Sequence, residues 1–147
     1  MYSFGIIMDP IENINPNEDS TFSMILALQK KNNIEYIVPN TMHLINQQIF
    51  AKVKKLHVFK RKNKFFMLSK SRLMDLSKLD CILFRKDPPV NERYINMTHM
   101  LDYLEQDGVL IINSPQSIRD FNEKLLGNNL TNHYVPTLVS SNQGIIV

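Results

Sequence analysis

A chain of 147 residues has room for one domain with a real core, because a domain of about 150 residues buries roughly two-thirds of the surface its unfolded chain exposes. Its apolar residues, 44% of the total, are scattered in short blocks, and none approaches the roughly 20 in a row that cross a bilayer. The formal net charge of +3 hides an uneven split: Lys52 to Arg72 holds nine Lys/Arg residues and no acid, so the remainder is net negative. The N-terminus, MYSFGIIMDP, has neither the basic region nor the long apolar region of a secretory signal, so a cytoplasmic protein with no membrane partner is expected. Cys81, the single cysteine, cannot close an intrachain disulfide and reads as a small buried hydrophobe within CILF.

In chain order, FGIIMD is a continuous apolar run bounded by a proline, the pattern of a short parallel strand. After the loop PIENINPNEDS, Asp19 or Ser20 can cap a helix over STFSMILALQKKN. Phe22, Ile25, Leu26 and Gln29 recur there at helical spacing, and lysines stand at the C-terminal end of the dipole. IEYIVP supplies the second strand of a right-handed βαβ unit. From Thr41 to Ser71 the pattern becomes short, polar-flanked strands, an antiparallel meander carrying the basic residues. That stretch has two readings: cations and phenylalanines that hold RNA, or two strands, HVFKR and KFFMLS, joined at Lys62-Asn63-Lys64 with lysines solvating one face. The second is preferred, and no nucleic-acid partner is expected.

LDCILFR resumes the parallel pattern. Asn91 then caps ERYINMTHMLDYLEQ, in which Tyr94, Met97, Leu101 and Leu104 line one face, and Gly108 ends it. VLIIN is expected as a buried strand and SPQSIRDFNEKLL as a helix with Ser114 at the cap and Pro115 in the first turn. A last extended segment is expected around TLVSS. Met24, Met42, Met67, Met74, Met97 and Met100 are expected to fill the core. The sum is a doubly wound, Rossmann-like α/β domain, mostly parallel, with an inserted antiparallel meander.

Such folds hold ligands beyond the carboxyl ends of their strands. Asp9 and the run Arg85-Lys86-Asp87 fall there, with Pro88-Pro89 stiffening the exit. Arg85 can grip a carboxylate or phosphate through two parallel hydrogen bonds, or simply pair with Asp87 or a neighbouring acid; Asp9 can serve a ligand or stabilise its own loop. The four glycines are isolated, which excludes a Walker loop and the dinucleotide fingerprint, and His43, His57, His99 and His133 lack metal-ligand spacing.

The stretches MDPIENIN, RKDPP and NSPQSIRDFNEKL, with YVPTLV after them, resemble in order and interval the N-terminal region of bacterial glutathione synthetases. The resemblance implies a pre-ATP-grasp domain over residues 1–122 and the opening of the ATP-grasp region over 123–147. It further implies a ligase that joins glycine to γ-glutamylcysteine, consumes ATP with Mg2+, releases ADP and phosphate, and assembles as a homo-oligomer. By the same match Arg85 meets the anionic dipeptide, Lys124 reaches ATP phosphate, and Asp9, Asn13 and Asn15 belong to a loop beside the cleft, Asp9 and Asn15 on the substrate side. The phosphate flap, the magnesium ligands and the catalytic residues are expected beyond Val147. The chain by itself is therefore expected to be inactive, either as a fragment or as the product of a truncated gene. The alternative is a catalytically dead remnant that survives as a subunit-contact module. The basic stretch 52–72 and GNNLTNHY depart from the family's pattern.

Overall fold

A computed structural model describes residues 1–61, 64–122, 125–126 and 135–145. Among these the elements are β1 (Ser3–Met8), α1 (Ser20–Leu28), β2 (Asn33–Ile37), β3 (His43–Ile45), β4 (Gln48–Val58), β5 (Phe66–Leu68), β6 (Arg72–Asp75), β7 (Cys81–Arg85), α2 (Glu92–Gln106), β8 (Leu110–Ile112) and α3 (Pro115–Asp120). The strands form one mixed sheet, and the protein is of the α/β class. Its parallel half runs β2-β1-β7-β8.

The apolar run of β1 is explained by a helix on each face of the sheet. Strand alternation sends Ile6 and Met8 to one side, where they pack with Phe22 and Ile25 of α1. Ile7 points to the other side and packs with Leu101 and Leu104 of α2. α1 is capped by the Asp19 carboxylate, which accepts from the Phe22 amide at 2.6 Å, and α2 by Asn91 Oδ1, which accepts from the Tyr94 amide at 3.1 Å. Gly108 follows α2 with φ of 90°, a conformation that favours glycine.

The antiparallel half is larger than expected. β4, 11 residues long, pairs directly with β2 and also with β3, β5 and β6, so the meander widens the same sheet and half of the strands are antiparallel. β4 buries Ile49, Ala51 and Val53 against the α2 layer, then Leu56 and Val58 against the α1 layer. Its alternation is unbroken; what changes along its length is which face is covered. Lys52, Lys55 and His57 occupy the uncovered positions. One ion pair ties the halves together: Arg72 of β6 donates to both oxygens of Glu35 on β2, at 2.9 and 2.8 Å.

Several expectations are corrected. Among the described residues VLIIN is an edge strand with β7 as its sheet neighbour, and Leu110 and Ile112, on the face opposite Ile111 and α2, are exposed. α1 stops at Leu28, and Lys30 and Lys31 lie in the turn beyond it. There the Gln29 side chain donates to the Val58 carbonyl at 2.8 Å and accepts from the Val58 amide at 2.9 Å, tying the helix end to β4. α3 stops at Asp120 because Phe121 is extended, and Ser114 holds the cap position without a side-chain hydrogen bond. Residues 137–141, TLVSS, form no strand. Met42, Met74, Met97 and Met100 pack on the core, whereas Met24 and Met67 are exposed. Cys81 is buried, and burial, with the Asp80 charge second, pushes its thiol pKa up, as befits an inert side chain.

Candidate functional site

The parallel register of β1 and β7 sets Met8 opposite Arg85 and so brings Asp9 beside Lys86, one residue past the strand ends. Their side chains form an ion pair, and the Asp87 amide donates to Asp9 Oδ2 at 3.1 Å. Asp9 therefore braces the loop that leaves β7.

Alternation along β7 separates the two cations. Cys81 and Leu83 face the α1 layer and Phe84 the α2 layer, so Arg85 continues toward α1 and Lys86 toward α2. Arg85 reaches the first turn of α1, where Nη2 donates to Ser20 Oγ at 3.0 Å and Nε to Thr21 Oγ1 at 3.3 Å. Among the described residues its guanidinium has no ion-pair partner; neutral hydroxyls orient it. Pairing with Asp87, one of the two sequence readings, does not occur. A small cavity of about 120 Å3 opens at this point, with Asp9, Ser20, Arg85 and Asp87 in its wall. Lys86 borders a second, larger cavity of about 580 Å3 with Met42, Asn91, Arg93, Tyr94 and Met97. The Tyr94 hydroxyl pKa is raised by burial and then by the Asp87 charge, so it stays a neutral phenol.

The other sequence candidates fall elsewhere. Asn15 is exposed and builds its own loop: its carbonyl accepts from the Glu18 and Asp19 amides at 3.1 and 2.9 Å, and its Oδ1 accepts from the Asn17 amide at 3.2 Å. It lines a third cavity, apart from that of Arg85. Asn13 is exposed at the end of a single helical turn, Ile11–Asn13, whose Ile11 is buried in the core. Lys124 lies outside the described residues. Sequence reading missed Ser20 and Thr21, whose hydroxyls hold Arg85; their signal was present in the two hydroxyl residues that open α1 right after its Asp19 cap.

Comparison with known proteins gives the same direction. Residues 2–119 match the family model described as the N-terminal domain of prokaryotic glutathione synthetase. The glutathione synthetase of Buchnera aphidicola subsp. Acyrthosiphon pisum is 42% identical over 139 residues, 94% of this chain and 43% of that protein. Those of Coxiella burnetii and Escherichia coli O127:H6 are each 38% identical over 97% of this chain, which covers 44% and 46% of their lengths. The chain thus spans less than half the length of these curated relatives. With a matched domain covering most of its residues, the chain belongs to the prokaryotic glutathione synthetase N-terminal domain family.

Proposed function

We propose that this chain forms the substrate-side wall of an ATP-dependent glutathione synthetase, the enzyme that joins glycine to γ-glutamylcysteine in the cytoplasm. The observation that carries the reading is Arg85: a guanidinium at the carboxyl edge of the sheet, oriented by two hydroxyls and left without an acidic partner among the described residues. A preset fork of this kind, held by neutral hydroxyls, suits a carboxylate of the anionic dipeptide. The parallel strands with a helix on each face support the doubly wound, pre-ATP-grasp assignment.

Within that reading Arg85 binds and orients the dipeptide. Asp9 and Lys86 hold the loop after β7 so that the Arg85 backbone cannot drift, and Ser20 and Thr21 fix the direction of the guanidinium. ATP, held in part by Lys124, supplies the activating phosphoryl group when bound. Magnesium would enter with the ATP phosphates, and in this proposal its protein ligands belong to the remaining length of the whole enzyme. Self-association of the whole protein belongs to the same proposal.

The test is Arg85→Ala in a protein that carries this segment together with the remaining length of its relatives. KM for γ-glutamylcysteine is expected to rise on the order of tenfold or more, with KM for ATP nearly unchanged. Equal rises for both substrates would remove Arg85 from the dipeptide site.

A further inference from the structure

The small cavity beside Arg85 is more acidic than a lone carboxylate ligand favours. Asp9, Asp19 and Asp87 stand in its wall, and among the described lining residues Arg85 is the one cation. Two of the three acids are already engaged. Asp9 is paired with Lys86 and accepts from the Asp87 amide, and Asp19 Oδ1 caps α1 through the Phe22 amide. Asp87 is exposed, and among the described residues its carboxylate makes no hydrogen bond or ion pair. Arg85 and Asp87 thus line one space with opposite charge and without pairing with each other. Such a wall suits a head group that carries both charges on one carbon, a carboxylate for the Arg85 fork and an ammonium for Asp87. The cavity, about 120 Å3, has room for about four waters at about 30 Å3 each, the size of an amino-acid head and too little for a whole dipeptide.

γ-Glutamylcysteine carries two carboxylates and one ammonium, and its two ends are not equivalent. Joining glycine forms the new amide at the cysteinyl carboxyl carbon, so that carboxylate must stay outside the wall and open to the opposing part of the enzyme. A carboxylate from that end would also meet the acids with no ammonium to offset them. The glutamyl end has its ammonium and carboxylate on the same carbon and takes no part in bond formation. Glycine is an amino acid too, but its nitrogen has to shed a proton and attack, which an acid holding it as ammonium opposes.

We propose that the cavity between β1, β7 and α1 reads the glutamyl amino-acid head of the dipeptide, with Arg85 on its carboxylate and Asp87 on its ammonium. The inference rests on the dipeptide reading of Arg85 and adds Asp87 to it as a specificity-determining residue. The test uses a protein that carries this segment with the remaining length of its relatives. Its substrates are γ-glutamylcysteine, glutarylcysteine, which lacks the ammonium, and 4-aminobutyrylcysteine, which lacks the glutamyl carboxylate. Loss of a charge-assisted contact should lower kcat/KM for each analogue on the order of tenfold or more. Asp87→Asn, a change of charge at constant size on an exposed side chain, should leave the circular dichroism spectrum unaltered. It should raise KM for γ-glutamylcysteine on the order of tenfold, with KM for ATP and glycine unchanged. It should also shrink the preference over glutarylcysteine severalfold while that over 4-aminobutyrylcysteine persists, and Arg85→Ala should do the reverse. The inference alone is overturned if Arg85→Ala selectively raises KM for the dipeptide while Asp87→Asn leaves the preference over glutarylcysteine at its wild-type value. Wild-type protein that uses glutarylcysteine as well as γ-glutamylcysteine, or an Asp87→Asn variant whose KM rises for glycine instead, overturns it too. Equal effects of Arg85→Ala on ATP and dipeptide overturn it together with the reading beneath it.

Discussion

Replacing Arg72 with methionine tests what joins the two halves of the sheet. Glu35 is only 4% exposed, and its carboxylate is held by two Arg72 N–H groups at 2.9 and 2.8 Å. Removing one member of a buried pair typically costs about 3–5 kcal/mol, because the charge left behind is neither paired nor hydrated. The Arg72 side chain is 44% exposed, so water can reach part of the vacated space. A cost of about 2–3 kcal/mol is therefore expected, which lowers the unfolding midpoint of a domain this size by about 5–10 °C. The double variant Glu35→Leu, Arg72→Met leaves no stranded charge and should recover most of that loss. Thermal unfolding followed by circular dichroism, with urea titration for the free energies, measures both. If Arg72→Met loses less than about 0.5 kcal/mol, or if the double variant is as damaged as the single one, the pair does not carry the junction.

Two further expectations concern the parallel half. Burial, helped by the Glu12 and Asp9 charges and opposed by the Ile11 amide, pushes the Tyr36 hydroxyl up to about 12. The folded state thus favours the neutral phenol. Its contribution is complete below the ordinary value of about 10 and is lost as pH rises from there through 12, amounting to about 1.4 kcal/mol by pH 11. Urea unfolding at pH 8 and pH 11 should show wild type losing that much more than Tyr36→Phe; parallel losses would contradict it. Gly5→Ala would place a Cβ 2.7 Å from Leu79 Cδ1 and 3.0 Å from Ile37 Cδ1, at the centre of the sheet. Overpacking of this kind costs about 1–3 kcal/mol, and an unchanged midpoint would mean the two side chains move aside freely.

The opening βαβ unit, the caps at Asp19 and Asn91 and the apolar face of α2 are written in local patterns, because each depends on residues a few positions apart. The family itself was legible in long ungapped words such as RKDPP. What local pattern could not supply is partnership. Nothing near Gln48–Val58 announces that one strand will cover both layers in turn, or that it will pair with β2 and so merge the meander with the parallel strands. VLIIN has the composition of a buried strand and is an edge, since burial is set by neighbours and composition records only tolerance for them.

The site divides the same way. Sequence alone put Asp9, Arg85 and Lys86 at strand ends, because the apolar runs before them stop there. Tertiary structure decided what each side chain meets: the β1–β7 register joined Asp9 to Lys86, and alternation turned Arg85 toward Ser20 and Thr21, some 65 positions away along the chain. A chain encodes where a strand ends in its own residues, but the direction and company of the next side chain depend on which strands lie beside it.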